Sequence, residues 1–468
     1  MIFFHNQIYP HLPVFLQHVV VSVYGLLWRK RRLGGVFKEQ VKEFKSREHY
    51  SYEQWLAYQE RELRKLLVHA YTTVPYYATT YKACGIELGD LLSFRLNNLS
   101  KLPMLEKETL RSLGKTDLVS SKILPGRKFF TSSGSTGTPV SILFSVSTQQ
   151  TWYAAYEARC RNWAGVSYTS SRAMIGGRRV VFGNPARPPF HRFNWVENQV
   201  YLSIYHVSKE NFMWYYRVLQ NRKPEYLVGY SSSIFLLATL LMESGLQPLR
   251  FKAVIGSSEK LTAEMKVVIA QAFQCPVYDS WSGIEACALI TEHPDGNLYI
   301  SPDCGIIEFL NSEAQPVKCG EEGEMICTGL LNFDQPLIRY RIGDLGVPLD
   351  PLTNQAIQMP RVNEIVGRTD DIITLRDGRR LGSFNRFFAD LKGIREVQVV
   401  QEDYDHFILN LVPTDDFGSA EKEAIHNSLK SRLGNVDVDI RIFTALPRSS
   451  NGKLKAVVSR IGLDTNVK

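Results

Sequence analysis

The chain has 468 residues, of which 44% are hydrophobic and 22% are charged. At roughly 100 to 200 residues per domain, this length suits about two or three domains, and the composition is globular, which excludes a peptide, a lone small binding module and a disordered chain. The 55 Lys and Arg against 47 Asp and Glu leave a net charge of +8. This excess fits anionic small molecules, nucleic acid or an anionic membrane surface, and selects none of them.

Seven cysteines are spread along the chain, and no two form a CxxC pair. An odd number of widely spaced cysteines in a large chain is typical of reduced, mostly buried thiols. The pattern indicates a cytoplasmic protein and gives no support to a thioredoxin-like redox site or a zinc ribbon. The basic residues are dispersed and form no stripe with interleaved aromatic residues, so nucleic acid is not an expected partner.

The first 50 residues are predicted to be helical, and they leave two interpretations open. Residues 12–28 are apolar and are followed by the basic run 29–32, an order and a length that fit neither a signal peptide nor a spanning helix of about 20 residues. In the first interpretation the helix packs on the body and the basic run is solvated. In the second it lies on an anionic leaflet with the basic run on the headgroups. The apolar side chains at helical spacing are Leu16, Val19, Val20, Val23 and Leu27.

The remaining patterns predict an α/β protein with a separate C-terminal part. Residues 52–70 carry apolar side chains at helical spacing. Short apolar runs such as 226–229 and 253–256 then alternate with helical patterns such as 232–244, which predicts an α/β body. Short strands separated by Gly and Pro follow, and they predict a β-rich part of the same body. Residues 371–468 change to strand, strand, helix and strand, which predicts a small α+β domain.

The strongest local signal is a loop rich in hydroxyl groups and glycine within residues 129–140, between two strand-like runs. Glycines let the backbone approach phosphate oxygens, while amide and hydroxyl groups donate hydrogen bonds to them. No Gly-Lys-Ser/Thr follows, so the loop is not of the Walker A type. Taken alone it is equally typical of an ordinary surface turn.

Six motifs occupy, in this order along the chain, residues 132–139, 257–259, 278–285, 338–344, 366–371 and 446–453. Together they resemble the adenylate-forming (AMP-binding, ANL) enzymes, and the resemblance covers roughly residues 12–458. Within that superfamily the chain is similar to the phenylacetate-CoA ligase branch, and to the CapK-like proteins of capsule and polysaccharide gene clusters.

The resemblance implies a two-step reaction and a fold in two parts. A carboxylate attacks the α-phosphate of ATP, pyrophosphate leaves, and the acyl-adenylate passes to coenzyme A, an amine or a sugar, with Mg²⁺ as the metal and polysaccharide biosynthesis as the setting. The implied fold is a large multi-layer α/β adenylating domain over residues 1–367 with a β-rich subdomain. A hinge at 368–370 would join it to a small mobile α+β lid domain over 371–468.

The resemblance also assigns a task to each matched residue. Lys453 would bridge the substrate carboxylate and the α-phosphate and stabilise the negative charge of the transition state. Glu285 would ligate Mg²⁺, and Asp344 would accept hydrogen bonds from the ribose hydroxyls. Arg368 would support the ribose and phosphates, and Asp370 would be the hinge. The other residues implied for the ATP site are Ser132, Ser133, Gly134, Ser135, Thr136, Gly137, Ser258, Glu259, Asp279, Trp281 and Ser282.

Two departures from the family pattern stand out. The family usually has Tyr-Gly-Ser/Thr-x-Glu where this chain reads Trp-Ser-Gly-Ile-Glu over residues 281–285, so an indole replaces the usual phenol. Cys287 and His293 resemble half of a structural zinc site of some relatives, but residues 348–360 lack the cysteines of the other half. Because structural zinc takes four ligands, zinc is not expected.

The alternative function is a catalytically altered protein that keeps the fold as a binding or assembly factor. The presence of Glu285, Asp344 and Lys453 favours the enzyme. The carboxylic acid and the acceptor stay open, because the acyl pocket is built from segments such as 201–206 and 230–233 that the fold must bring together. The expected location is the cytoplasm, with contact to the inner membrane face left open.

Overall fold

The computed structural model describes residues 8–132, 139–182, 187–350, 356–368, 373–376, 380–381, 393–414, 417–433, 436–448 and 452–461. The predictions made for Ser133, Gly134, Ser135, Thr136, Gly137 and Asp370 lie outside these residues.

The helix predicted over residues 52–70 is present and runs from Tyr52 to Thr73. It begins at a capping box, in which the Ser51 hydroxyl accepts from Gln54 N and the Gln54 side chain accepts from Ser51 N. It ends before Pro75, which starts the next helix. The α-helices within the described residues are α1 (Val14–Leu33), α2 (Phe37–Arg47), α3 (Tyr52–Thr73), α4 (Pro75–Ala83), α5 (Leu88–Leu92), α6 (Lys107–Leu113), α7 (Val146–Tyr156), α8 (Phe212–Arg222), α9 (Ser231–Ser244), α10 (Ala263–Phe273) and α11 (Ser419–Leu433).

The predicted strands at 226–229 and 253–256 are also present, each one residue longer. The strands within the described residues are β1 (Lys128–Thr131), β2 (Ser141–Phe144), β3 (Arg172–Gly176), β4 (His191–Asn194), β5 (Gln199–Ser203), β6 (Tyr226–Tyr230), β7 (Ala253–Ser257), β8 (Val277–Trp281), β9 (Ile290–Glu292), β10 (Leu298–Ile300), β11 (Gly305–Leu310), β12 (Gly323–Gly329), β13 (Tyr340–Leu349), β14 (Arg361–Arg368), β15 (Ile373–Thr374), β16 (Arg380–Leu381), β17 (Ile394–Gln401), β18 (His406–Pro413), β19 (Asp437–Ile442) and β20 (Val457–Ser459).

A single mixed sheet organises the large N-terminal part. In the described residues its order is β11-β12-β13-β14-β10-β9-β8-β7-β6-β3-β5-β4. The neighbours β5, β3, β6, β7 and β8 are parallel, and the other pairs are antiparallel. The β-rich part is therefore a continuation of the α/β sheet.

Both faces of the parallel strands are buried, which explains their continuous apolar runs. On one face Leu227 and Val254 pack in a core that includes Leu237 of α9. On the other face Ile255 packs with Cys160. The tight packing fixes the positions of the strand ends, where the candidate site lies.

The C-terminal part is the predicted small α+β domain. Its strands have the order β19-β18-β17-β20. Alternate residues Phe407, Leu409 and Leu411 of β18 point to one face and pack with Ile425 and Leu429 of α11. The fold class predicted from the sequence is confirmed.

Helix α1 packs on the body, but not through the face that the first interpretation used. Leu16, Val23 and Leu27 are 43%, 56% and 61% exposed. The reason is that α1 lies beside β4, an edge strand whose free backbone donors need acceptors. His18 Nδ1 accepts from Phe193 N at 2.8 Å, which is a polar contact.

Contrary to the first interpretation, the basic residues 29–32 are also not all exposed to solvent. Arg32 forms a buried ion pair with Glu197 at 2.6 Å, and Arg31 donates to Gly126 O and Phe144 O. None of the helices within the described residues combines the length and apolarity that crossing a membrane requires.

Candidate active site

The carboxyl ends of three parallel strands meet at one edge of the sheet, which is where open α/β sheets bind ligands. Tyr230 ends β6, Ser258 follows β7, and Trp281 ends β8. Ser258 has φ of +67°, a left-handed conformation that turns the chain sharply after the strand. The three predicted segments are therefore side by side.

Asp344 is the centre of a polar group beside this edge. It is 6% exposed and faces Arg368 across the β13–β14 ladder. Its Oδ1 lies 3.4 Å from Arg368 Nε, and its Oδ2 accepts a hydrogen bond from Trp281 Nε1 at 3.1 Å. Three of the predicted ATP-site residues are thus in contact.

Burial raises the pKa of Asp344 above its ordinary value, because desolvation disfavours the carboxylate. The Arg368 guanidinium and the Trp281 hydrogen bond act against this rise in pKa, as do the positive charges of Lys107 and Lys453. The carboxylate is therefore held among donors and cations, which favour its ionised, hydrogen-bond-accepting form.

Lys453 reaches this edge from the C-terminal domain. Its Nζ donates to Ser258 O at 2.8 Å and lies 5.5 Å from the centre of the Tyr230 ring. The preceding Gly452 has φ of +80°, and a Cβ there would stand 1.9 Å from Ile204 Cδ1. A side chain at this φ would be strained and its Cβ would have to displace Ile204, so glycine favours the observed position of the lysine-bearing loop.

Glu259 joins the two domains at the same place. Its Oε2 accepts from Ser232 N at 3.0 Å and its Oε1 accepts from Leu454 N at 3.3 Å. The Ser231 hydroxyl donates to Glu259 O at 3.1 Å. In this structure Glu259 therefore positions the lysine-bearing loop against the N-terminus of α9.

Glu285 is 4% exposed, and the Tyr340 hydroxyl donates to its Oε1 at 3.4 Å. Among the described residues no group of three or more His, Cys, Asp or Glu could hold a metal ion. A single carboxylate still fits Mg²⁺, which is commonly bound by one or two carboxylates together with substrate phosphates and water. The residues present therefore fit Mg²⁺ held jointly with a nucleotide.

Asp279 and Ser132 make contacts outside the group around Asp344. Asp279 N donates to Glu292 Oε2 at 2.8 Å, and burial raises the pKa of its side chain to about 7, with Lys266 acting in the opposite direction. Ser132 closes the base of the hydroxyl-rich loop, since its Oγ accepts from Val140 N at 2.9 Å. Ser282 is half-buried directly after β8.

The hairpin that carries this loop is anchored by a buried acid. Asp334 accepts from Arg127 Nε at 2.8 Å, from Ser145 N at 2.8 Å and from Thr148 Oγ1 at 2.9 Å. Arg127 precedes β1 and Ser145 follows β2. The acid therefore holds both outer ends of the hairpin against the body.

Sequence reasoning gave no role to Tyr340 and Lys107. Tyr340 lies within the motif 338–344, so its place in that motif was the available signal. Lys107 starts α6, donates to Ile342 O at 3.3 Å and acts on Asp344 through its charge. No pattern around Lys107 points to the site, because only the packing of α6 on β13 brings it there.

Two sequence comparisons show which known proteins the chain is similar to. Residues 376–460 match the protein family described as the CapK C-terminal domain. The chain is 26% identical to Protein CapK of Staphylococcus aureus over 471 residues, which covers 97% of this chain and 99% of that protein. It is 25% identical to a phenylacetate-coenzyme A ligase of Pseudomonas putida over 338 residues, which covers 68% of this chain and 72% of the ligase.

Solved structures share the fold. A 2-hydroxyisobutyryl-CoA ligase in the postadenylation state, in complex with R3-HIB-AMP, matches with a TM-score of 0.69 at 17% identity, covering 89% of this chain and 92% of that chain. The same ligase in the thioesterification state, in complex with 2-HIB-AMP and CoA, matches with a TM-score of 0.54 at 18% identity, covering 88% and 91%.

The fold, the C-terminal match and the similarity to CapK along nearly the whole chain confirm the resemblance seen in the six motifs. The chain is thus similar to CapK along nearly its whole length and to phenylacetate-coenzyme A ligases over about two thirds of it, and it shares the fold of a solved CoA ligase.

Proposed function

We propose that the protein activates a carboxylic acid with ATP, forming an acyl-adenylate and pyrophosphate, and then transfers the acyl group to an acceptor. The single observation that carries this proposal is the position of Lys453. Its ammonium group contacts Ser258 O, and it acts electrostatically on Asp344, which contacts Trp281. A cation beside a buried carboxylate that can accept hydrogen bonds from sugar hydroxyls is suited to orienting a nucleotide and stabilising attack on its α-phosphate.

The residues divide the work of the first step. Asp344 accepts hydrogen bonds from the ribose hydroxyls and so positions the α-phosphate. Arg368 supports the sugar and the phosphates. Lys453 stabilises the negative charge that builds up as the carboxylate oxygen attacks phosphorus and pyrophosphate leaves. The loop that includes Ser132, Ser133, Gly134, Ser135, Thr136 and Gly137 would donate hydrogen bonds to the β- and γ-phosphates. Mg²⁺ held by Glu285 would supply charge compensation for the phosphates.

The first candidate acceptor is coenzyme A. The chain resembles a phenylacetate-coenzyme A ligase over 338 residues, and it has the fold of a ligase whose structure contains 2-HIB-AMP and CoA. In such a reaction the thiol attacks the acyl carbon, the thioester forms, and AMP leaves with the oxygen that bridged carbon and phosphorus. The carboxylic acid then ends as an acyl-CoA.

A second candidate acceptor is an amine or sugar used in polysaccharide biosynthesis. Similarity to Protein CapK extends over 97% of the chain, whereas similarity to the phenylacetate-coenzyme A ligase covers 68%. The separate match of residues 376–460 to the CapK C-terminal domain supports an acceptor specific to CapK-like proteins. We place the reaction in the cytoplasm, in keeping with seven free cysteines, five of them buried.

The test is exchange of labelled pyrophosphate into ATP across a panel of aryl, fatty and amino acids. The acid that supports exchange is then offered with coenzyme A, amines and nucleotide sugars, and the acylated product is identified by mass. Exchange with at least one acid is the expected result. Nucleotide binding without exchange for any acid, at protein concentrations that would detect a slow enzyme, favours the alternative of a non-catalytic binding or assembly factor.

A further inference from the structure

Helix α1 is oriented with its apolar side outward. The buried positions of the helix are Gln17, Ser22, Gly25 and Arg32. A surface helix of a globular protein normally buries its apolar stripe and exposes its polar side, so this arrangement is the reverse of the usual one. The exposed large apolar side chains are Phe15 at 65%, Leu16 at 43%, Val23 at 56%, Leu26 at 56% and Leu27 at 61%.

The polar side of α1 makes hydrogen bonds and close contacts with the body, and these contacts fix the rotation of the helix about its axis. Ser22 Oγ accepts from Trp195 N at 3.1 Å, and Gln17 Oε1 accepts from Arg192 Nε at 2.6 Å. Gly25 lies so close to Asn194 that a Cβ would stand 2.4 Å from its side-chain nitrogen. These polar contacts hold the apolar face toward the outside.

The apolar face continues onto a neighbouring aromatic residue. Trp195 is 46% exposed, and its ring centre lies 6.0 Å from that of Phe15. Contiguous exposed apolar surface of this kind marks an interaction site. Tryptophan is enriched at membrane–water interfaces, where its ring is apolar and its N–H stays hydrated.

The charge around this face identifies the occupant. Residues 1–38 contain no Asp or Glu, and residues 14–28 contain no Lys or Arg either. Lys30 and Lys38 are exposed near the C-terminal end of α1. A two-fold contact between two copies would place this acid-free, basic segment against itself, which is unfavourable. An anionic lipid surface attracts it instead, by about 1 kcal/mol for each cation close to the surface.

We propose that the outward face of α1, together with Trp195, lies in the headgroup region of an anionic membrane leaflet. The helix has 20 residues, about 30 Å at 1.5 Å per residue, and would lie parallel to the surface with its apolar side chains inserted by about 5 to 10 Å. Arg31 and Arg32 hold the helix to the body, and Lys30 and Lys38 face the headgroups.

The test is co-sedimentation of the full chain with vesicles of phosphatidylcholine alone or mixed with phosphatidylglycerol, at low and high salt. We expect binding to the anionic vesicles that weakens with salt. The double variant Leu26→Gln and Leu27→Gln should reduce binding by about tenfold or more, because two inserted side chains are lost. The matched control is Leu92→Gln with Val267→Gln, two residues 63% and 62% exposed elsewhere, which should bind like the unmodified chain.

Several outcomes would overturn the proposal. One is that the unmodified chain does not bind anionic vesicles at low salt. Another is that the control variant loses as much binding as the Leu26/Leu27 variant. Dimerisation in solution that the Leu26/Leu27 variant abolishes, without vesicle binding, would assign the face to a second copy. Thermal unfolding of each variant is measured alongside, and unchanged melting shows that any loss of binding is not a loss of fold.

Discussion

The indole Nε1 of Trp281 donates a hydrogen bond to Oδ2 of Asp344 over 3.1 Å, at the residue where the chain departs from the usual family pattern. The only donor of a tyrosine side chain is the hydroxyl at the tip of its ring, whereas the indole donates from within the ring, and here that N–H contacts the Asp344 carboxylate directly. Tryptophan at position 281 therefore influences the ionisation of Asp344 through this hydrogen bond.

Trp281→Phe should make ATP use more sensitive to acid. Burial raises the pKa of Asp344, and the indole hydrogen bond, which favours the ionised form, opposes that rise. Removing the donor raises the pKa further, so a smaller fraction of Asp344 is ionised at a given low pH. The acidic limb of kcat/KM for ATP should move to higher pH, while the alkaline plateau stays within about threefold.

The measurement is the pH profile of pyrophosphate exchange for the unmodified chain, Trp281→Phe and Trp214→Phe. Trp214 is 45% exposed on α8 and serves as the matched control. An acidic limb that stays in place in Trp281→Phe would contradict the coupling.

Lys453→Ala should reduce adenylation by about 10² to 10³ in rate, the usual loss when one donor to transition-state charge is removed. The fold should be unaffected, because the half-buried side chain contributes little packing. Lys455→Ala, two residues away, is the control and should keep near-normal exchange. A Lys453→Ala protein that exchanges pyrophosphate like the unmodified chain would remove this lysine from the mechanism.

Asp334→Ala should lower the free energy of unfolding by about 3 to 5 kcal/mol, because it leaves the partly buried Arg127 guanidinium without its charge partner. It should also raise KM for ATP, since the hairpin that carries the hydroxyl-rich loop loses its anchor. Asp439→Ala breaks an exposed ion pair with Arg441 and should cost no more than about 1 kcal/mol. Equal denaturant midpoints for the two variants would contradict the assigned role.

Asp370→Pro should impair one half-reaction far more than the other. If the C-terminal domain rotates about residue 370 between adenylation and transfer, fixing φ there traps one arrangement. Asp370→Ala leaves φ free and should support both steps. Pyrophosphate exchange reports the first step, and transfer from a preformed acyl-adenylate reports the second. Equal slowing of both steps by the proline would count against a hinge at this residue.

Much of the architecture follows from local patterns in the sequence. The helix α3, the alternation of buried strands with helices and the C-terminal α+β domain each depend on periodicity within one segment. The orientation of α1 could not be predicted in this way. Periodicity shows which side of a helix is apolar, but the neighbour of α1 is the edge strand β4, and the contact between His18 and Phe193 spans 175 residues.

The candidate site was predictable only as a set of ordered motifs. Trp281 and Asp344 are 63 residues apart, and the Lys453–Ser258 contact spans 195 residues. Such contacts depend on the register of β13 against β14 and on how the C-terminal domain docks, neither of which leaves a local signal. For the same reason the motif order predicted the tasks of these residues but not the bond between the indole and Asp344.

The most direct test of the central claim follows an oxygen atom. The acid that supports exchange is labelled with ¹⁸O in its carboxylate and converted to product with ATP and the acceptor. Attack of the carboxylate on the α-phosphate leaves one of its oxygens on AMP, so the account predicts one ¹⁸O per AMP and unlabelled pyrophosphate. Label in orthophosphate with formation of ADP would mean activation as an acyl phosphate and would contradict the account.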